Sequence, residues 1–130
     1  MSARPGAQPS SSTVLVVESD RAELSRLTTI LRAEGYNVVD VMTFRDAVRS
    51  LQSGAPNVLI TTVRLGPYNG LHLIARCQVS QPQIISILTH AEEDSWLRDE
   101  AVSKEATFLL KPCAEELLTR TVARSLAGGR

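Results

Sequence analysis

The chain has 130 residues, with fourteen Lys and Arg balanced by fourteen Asp and Glu, and 43% of it is hydrophobic. A chain this long supports one domain with a real core, and this composition excludes global disorder. Zero net charge lacks the basic excess of a nucleic-acid footprint, and the longest apolar run, Val14–Val17, is far too short to cross a bilayer. Met1–Thr13 has no apolar stretch of the kind a signal peptide carries. Cys77 and Cys113 form no CxxC pair, so they read as small buried thiols and not as a zinc or disulfide framework. The expected setting is cytoplasmic, without nucleic-acid or membrane partners.

Residues 1–12 (MSARPGAQPSSS) read as a flexible tail, because Ser, Pro and Gly bury too little surface to order themselves. A domain over residues 13–126 follows, and 127–130 reads as a flexible stub. The first strand is Val14–Val17. Asp20 then caps a helix, Glu23 completes a capping box, Leu24, Leu27 and Leu31 share one face, and Gly35 stops it. A second strand runs over Tyr36–Val41, its Asn37 and Asp40 marking an exposed edge. Thr43 caps the second helix, with Phe44, Ala47, Val48 and Leu51 at i, i+3, i+4, i+7.

The third strand, Val58–Ile60, is apolar on both faces, as a buried central strand should be. A short helix runs from Leu71 to Gln78, a fourth strand from Ile84 to Leu88, and a fourth helix from Asp94 to Ser103 with Leu97 and Ala101 inward. The fifth strand is Phe108–Leu110. The fifth helix, Ala114–Leu126, carries Leu117, Leu118, Val122 and Leu126 on one stripe. Regular strand–helix alternation implies an α/β fold: a doubly wound, five-stranded parallel sheet between two helical layers, in the order 2-1-3-4-5. In such flavodoxin-like sheets chemistry sits where the strand order reverses, at the carboxyl ends of strands one and three. The positions to weigh are therefore Glu18, Ser19 and Asp20; Thr61, Thr62 and Arg64; Thr89 and His90; and Lys111.

Five motifs in order, VLVVESD, EGY, PNVLITTVRLGPYNG, ILTHA and FLLKP, make residues 13–126 resemble the receiver domain of bacterial response regulators. The resemblance implies an acidic pair after strand one, a phosphoaccepting aspartate ending strand three, a Thr or Ser ending strand four and a Lys-Pro ending strand five. On this chain those places fall to Glu18 and Ser19, Thr62, Thr89, and Lys111 with Pro112, whose peptide bond is then a candidate for cis. Phe108 takes the place of the switch aromatic, and Gly70 that of the glycine closing the strand-three loop. The loop proline is displaced by one, to Pro67 after Gly66, and Lys104-Glu105 replaces the small pair that usually ends helix four.

Thr62 is the decisive departure. A carboxylate is the nucleophile such a site needs, and the acyl phosphate it forms is labile; a threonine hydroxyl is protonated at pH 7 and forms a stable ester. Mg²⁺ wants carboxylates, and two of the family's three are here Ser19 and Thr62, so metal binding is expected to be weak or lost, with Glu18 and Asp20 the remaining weak candidates. Lys111 is expected to pair with Glu18, unless Arg64 claims that carboxylate instead. The resemblance so amended implies a non-enzymatic pseudo-receiver that binds protein partners, a histidine kinase, another regulator or a second copy through helix four, strand five and helix five.

Two alternatives stay open: a sensor holding a small anion or anionic metabolite among Ser19, Thr61, Thr62 and Thr89 with Lys111 and Arg64, and a conventional receiver phosphorylated on another residue. Blander roles fit several residues as well. Asp20 is explained by its cap, Thr61 and Thr62 by ordinary strand-end bonding, and His90 by solvation. Tyr68 and His72 complete no catalytic constellation. Trp96 is either an exposed partner contact or a half-buried helix flank.

Overall fold

The structure, a computed structural model, describes residues 12–128. In chain order its elements are β1 (Thr13–Val17), α1 (Arg21–Ala33), β2 (Asn37–Val41), α2 (Phe44–Ser53), β3 (Val58–Thr62), β4 (Arg64–Leu65), β5 (Tyr68–Asn69), α3 (Gly70–Ser80), β6 (Ile85–His90), α4 (Ser95–Ser103), β7 (Thr107–Leu110) and α5 (Glu115–Gly128). Five strands pair in parallel in the order β2-β1-β3-β6-β7, which is the expected 2-1-3-4-5 once the small β4–β5 ribbon is set aside.

Side chains along a strand alternate between faces, and the core divides accordingly. Leu15 and Val17 join Leu59 and Leu88 on one face, against Ala47 and Leu51 of α2, Leu73 and Ile74 of α3, and Leu97 and Ala101 of α4. Val14 and Val16 join Ile60 and Ile87 on the other, against Leu24, Leu27 and Leu31 of α1 and Leu118 and Val122 of α5. Each such Leu or Ile withdrawn from water contributes about 2 kcal/mol, so the two clusters hold the helices on both faces of the sheet. Both cysteines are free thiols buried in these clusters. Burial pushes the Cys77 thiol up to about 11 and raises that of Cys113.

Several expected boundaries move. Ser12 belongs to the folded body, because it is buried and its carbonyl accepts the Asn37 N–H at 3.0 Å; the rest of the expected tail, and residues 129–130, lie outside the described residues. Helix α5 runs on to Gly128, two residues past the expected stop, with Leu126 packed on the core. Leu117 leaves the expected α5 stripe and is exposed, since it lies one residue, or about 100° of turn, from the fully buried Leu118. The capping box at α1 is only half made. Asp20 accepts the Glu23 N–H at 3.0 Å, but the Asp20 N–H is taken by Glu18 Oε2 at 2.9 Å, and Glu23 instead grips Arg26.

The β4–β5 ribbon has no counterpart in the sequence reading. Its pairs are Arg64 with Asn69 and Leu65 with Tyr68, joined through Gly66 at φ +63° and Pro67. A glycine at positive φ opening a two-residue turn is the local signal that marks such a hairpin.

Candidate functional site

The carboxyl ends of β1, β3, β6 and β7 converge because the register sets Val17 beside Thr61, Thr62 beside Thr89, and His90 beside Leu110. Glu18 follows β1 directly, its N–H donating to Val41 O of β2 at 3.1 Å, which turns its side chain under the sheet edge and leaves it 2% exposed. Lys111 follows β7, its N–H held by His90 O at 2.8 Å, and the peptide to Pro112 is cis. The two side chains meet: Lys111 Nζ donates to Glu18 Oε1 at 2.9 Å and to Thr62 Oγ1 at 3.0 Å. Arg64 does not claim Glu18; its side chain is exposed and makes no ion pair among the described residues.

The neighbouring hydroxyls are engaged as well. Ser19 Oγ donates to Arg64 O at 3.2 Å, tying the loop after β1 to the ribbon after β3. Thr61 Oγ1 donates to Thr62 O at 2.9 Å, and Thr89 Oγ1 reaches Thr61 O at 3.4 Å. Gly70 seals this wall: a Cβ there would collide with Thr62 O and lie 2.8 Å from Thr61 Oγ1. Asp20 faces the α1 backbone as an N-cap. Of the positions drawn from the sequence, Glu18, Thr62 and Lys111 form one cluster bonded through their side chains, Ser19 and Thr89 lie beside it bonded to backbone, and Asp20 meets it through its backbone N–H on Glu18 Oε2 while its side chain caps α1.

Phe108 is buried beside Leu88 in the sheet, with the Arg98 guanidinium 4.6 Å from its ring centroid. Trp96 is 60% exposed at the start of α4. His90 is not solvated as expected but 8% exposed, because β6 runs two residues beyond Leu88 and pairs His90 with Leu110 of β7. The sequence reading also missed Arg26. Its Nη2 donates to Cys113 O at 2.9 Å while Glu23 holds the guanidinium and raises its pKa above the usual value, so α1 braces the turn that presents Lys111. The Glu23–Arg26 spacing of i, i+3 was the available signal; its long-range bond was not visible in sequence.

The family model for the response regulator receiver domain matches residues 14–123. Among curated proteins, the alginate biosynthesis transcriptional regulatory protein AlgB of Pseudomonas putida is 27% identical over 92% of this chain and 27% of its own length. The transcriptional regulatory protein BasR of Escherichia coli is 30% identical over 82% of this chain and 49% of its own length. The chain therefore spans from about a quarter to half the length of these relatives. Among solved structures, a CheY-like receiver domain protein from Methanospirillum hungatei superposes with a TM-score of 0.86 at 19% identity, covering 91% of this chain and 95% of that one. The beryllofluoride-activated NtrC4 receiver domain dimer superposes with a TM-score of 0.85 at 24% identity, covering 91% and 98%. Fold, strand order and sequence agree, and the chain belongs to the response regulator receiver domain family, the signalling module of two-component systems.

Proposed function

We propose that this is an atypical receiver domain that does not accept a phosphoryl group on an aspartate and signals by binding a protein partner. The observation that carries the reading is the Lys111 ammonium bonded to Glu18 and Thr62 at 2.9 and 3.0 Å, at the end of a strand, VLITT, that has no carboxylate. Thr62 stands where the family places its acceptor. Its hydroxyl carries a proton at neutral pH and, among the described residues, donates it to no base, while the Lys111 ammonium donates to its oxygen.

The donor set does not suit Mg²⁺ either. That ion demands octahedral oxygen ligands, typically with one or two carboxylates supplied by the protein. Among the described residues Glu18 alone bonds the cleft lysine with a carboxylate, and both of its oxygens are engaged, one by Lys111 and one by the Asp20 N–H. Among the described residues no group of three His, Cys, Asp or Glu is placed to hold a metal.

In this reading the domain performs no chemistry of its own, and its output is contact. A histidine kinase, another regulator or a second copy is the partner class, with the α4–β7–α5 face, where Trp96, Leu110 and Leu117 are exposed, as the contact. Such a partner biases the domain by binding one arrangement of Phe108 and Thr89 more tightly than the other. Calorimetric titration with Mg²⁺ tests the foundation. The native chain is expected to give no saturable heat, and the double variant Ser19→Asp/Thr62→Asp is expected to gain Mg²⁺ binding. Saturable, stoichiometric binding to the native chain overturns the reading.

A further inference from the structure

Beside the cleft, and separate from it, a second concavity of about 320 Å³ opens between the β4–β5 ribbon and the start of α4. Its walls include Val63, Arg64, Tyr68, His90, Trp96 and Leu97. The volume falls within the range of small-molecule sites.

Two of these groups are polar and unoccupied. His90 is 8% exposed and its imidazole makes no hydrogen bond among the described residues; none of their buried side-chain nitrogens lacks a partner, so its unbonded ring nitrogen is open to solvent where the residue lines the pocket. An imidazole carries at least one N–H in every protonation state, so this edge offers a donor to whatever enters the pocket. The Arg64 guanidinium, exposed at the same wall, likewise has neither ion pair nor hydrogen bond among the described residues. Around these donors stand two aromatic side chains that the fold leaves in water, Trp96 at 60% and Tyr68 at 51% exposure. Tyr68 is held in place by stacking on Phe44, with ring centroids 4.5 Å apart and planes 17° apart, so its wall is preset. Val63 and Leu97 add buried apolar surface.

We propose that this pocket binds a small planar aromatic anion, its ring against Trp96 and Tyr68 and its charged group on Arg64 and His90. Aromatic walls and a cationic fork recognise a π face and a carboxylate together. Asp94 also lines the pocket, its Oδ1 capping α4 through the Leu97 N–H at 3.1 Å. A fixed carboxylate at that edge selects against multiply charged anions such as free phosphate. Nothing in this inference uses Thr62 or Lys111, so it stands or falls separately from the function proposed above.

Proton–nitrogen correlation spectra of the labelled full chain give the test, since Trp96 is its single tryptophan and its indole N–H yields one cross-peak. The probes are 2-naphthoate, its neutral analogue 2-naphthamide, and inorganic phosphate. The expected result is a saturable shift of the Trp96 indole peak with 2-naphthoate, much weaker with the other two, and retained in Thr62→Val. Arg64→Ala, an exposed change that leaves the fold intact, is expected to weaken 2-naphthoate binding about tenfold, the loss of one charge-assisted hydrogen bond. His90→Leu is expected to weaken it as well, with thermal unfolding as the check on its fold. No saturable shift in the low-millimolar range, equal binding of the amide or of phosphate, or undiminished binding in Arg64→Ala overturns the proposal.

Discussion

Lys111→Met removes the ammonium that Glu18 shares with Thr62, and it leaves a carboxylate 2% exposed with the Asp20 N–H as its remaining partner. At 2.9 Å the two charges attract by about 6 kcal/mol at an effective dielectric near 20. Taking both ions from water costs several kcal/mol each, so the intact pair adds little net stability over an apolar replacement. Removing one partner is different, because the surviving charge keeps its desolvation cost; buried pairs broken this way lose about 3–5 kcal/mol. Lys111 retains 19% side-chain exposure, which admits water to the vacated site and sets the expectation at the lower end.

Urea unfolding followed by far-ultraviolet circular dichroism should therefore show Lys111→Met destabilised by about 3 kcal/mol at pH 7. Glu18→Gln keeps an acceptor for the Asp20 N–H, and the double variant Glu18→Gln/Lys111→Met should recover about 2 kcal/mol relative to the sum of the singles. A loss below about 1 kcal/mol in Lys111→Met, or strict additivity in the cycle, refutes the claim that these two groups neutralise each other in the cleft.

Gly70→Ala is expected to cost about 3 kcal/mol, since its Cβ would collide with Thr62 O and press on Thr61 Oγ1; a value within about 0.5 kcal/mol of the native chain by urea unfolding would mean the loop yields freely. Asp20→Ala should lose about 1 kcal/mol through the missing cap on the Glu23 N–H, and calorimetry should find its behaviour toward Mg²⁺ unchanged. The Cys77 thiol, pushed by burial from 9.0 to about 11, makes the folded state bind the proton that the unfolded chain has already lost. Its contribution is full below about pH 9 and declines as pH rises toward about 11. Cys77→Ala should flatten the fall of stability measured over that interval, and an unchanged slope contradicts the assignment.

The core of the fold was legible because β1 and β3 are bounded apolar runs and α1 and α2 carry both caps and stripes. What escaped were contacts that depend on three-dimensional closure. His90 reads as a polar residue after a strand, and only the pairing of β6 with β7 through Leu110 shows that the strand continues and buries it. Glu23 reads as the second half of a capping box, yet the buried Glu18 carboxylate reaches the Asp20 N–H first and frees Glu23 for Arg26. The β4–β5 ribbon is too short for any periodicity, and its one signal was Gly66-Pro67. Within the site, the choice between Lys111 and Arg64 as partner of Glu18 could not be made from spacing. It follows from the sheet, which sets His90 beside Leu110 and so brings Lys111 over the end of β1.

Charge shows the same division between total and placement. The chain sums to zero, yet its cleft is neutral for a local reason: one carboxylate and one ammonium, each within 3.0 Å of its partners. Under the proposed function, a lysine occupied in this way leaves no negative well to draw a divalent ion.

The most direct test is the intact mass of the native chain after incubation with Mg²⁺ and a small-molecule phosphodonor such as phosphoramidate. The proposed function predicts an unchanged mass with or without the metal, while a conventional receiver treated alongside gains one phosphoryl group. Mg²⁺-dependent addition of a single phosphoryl group to this chain would contradict it.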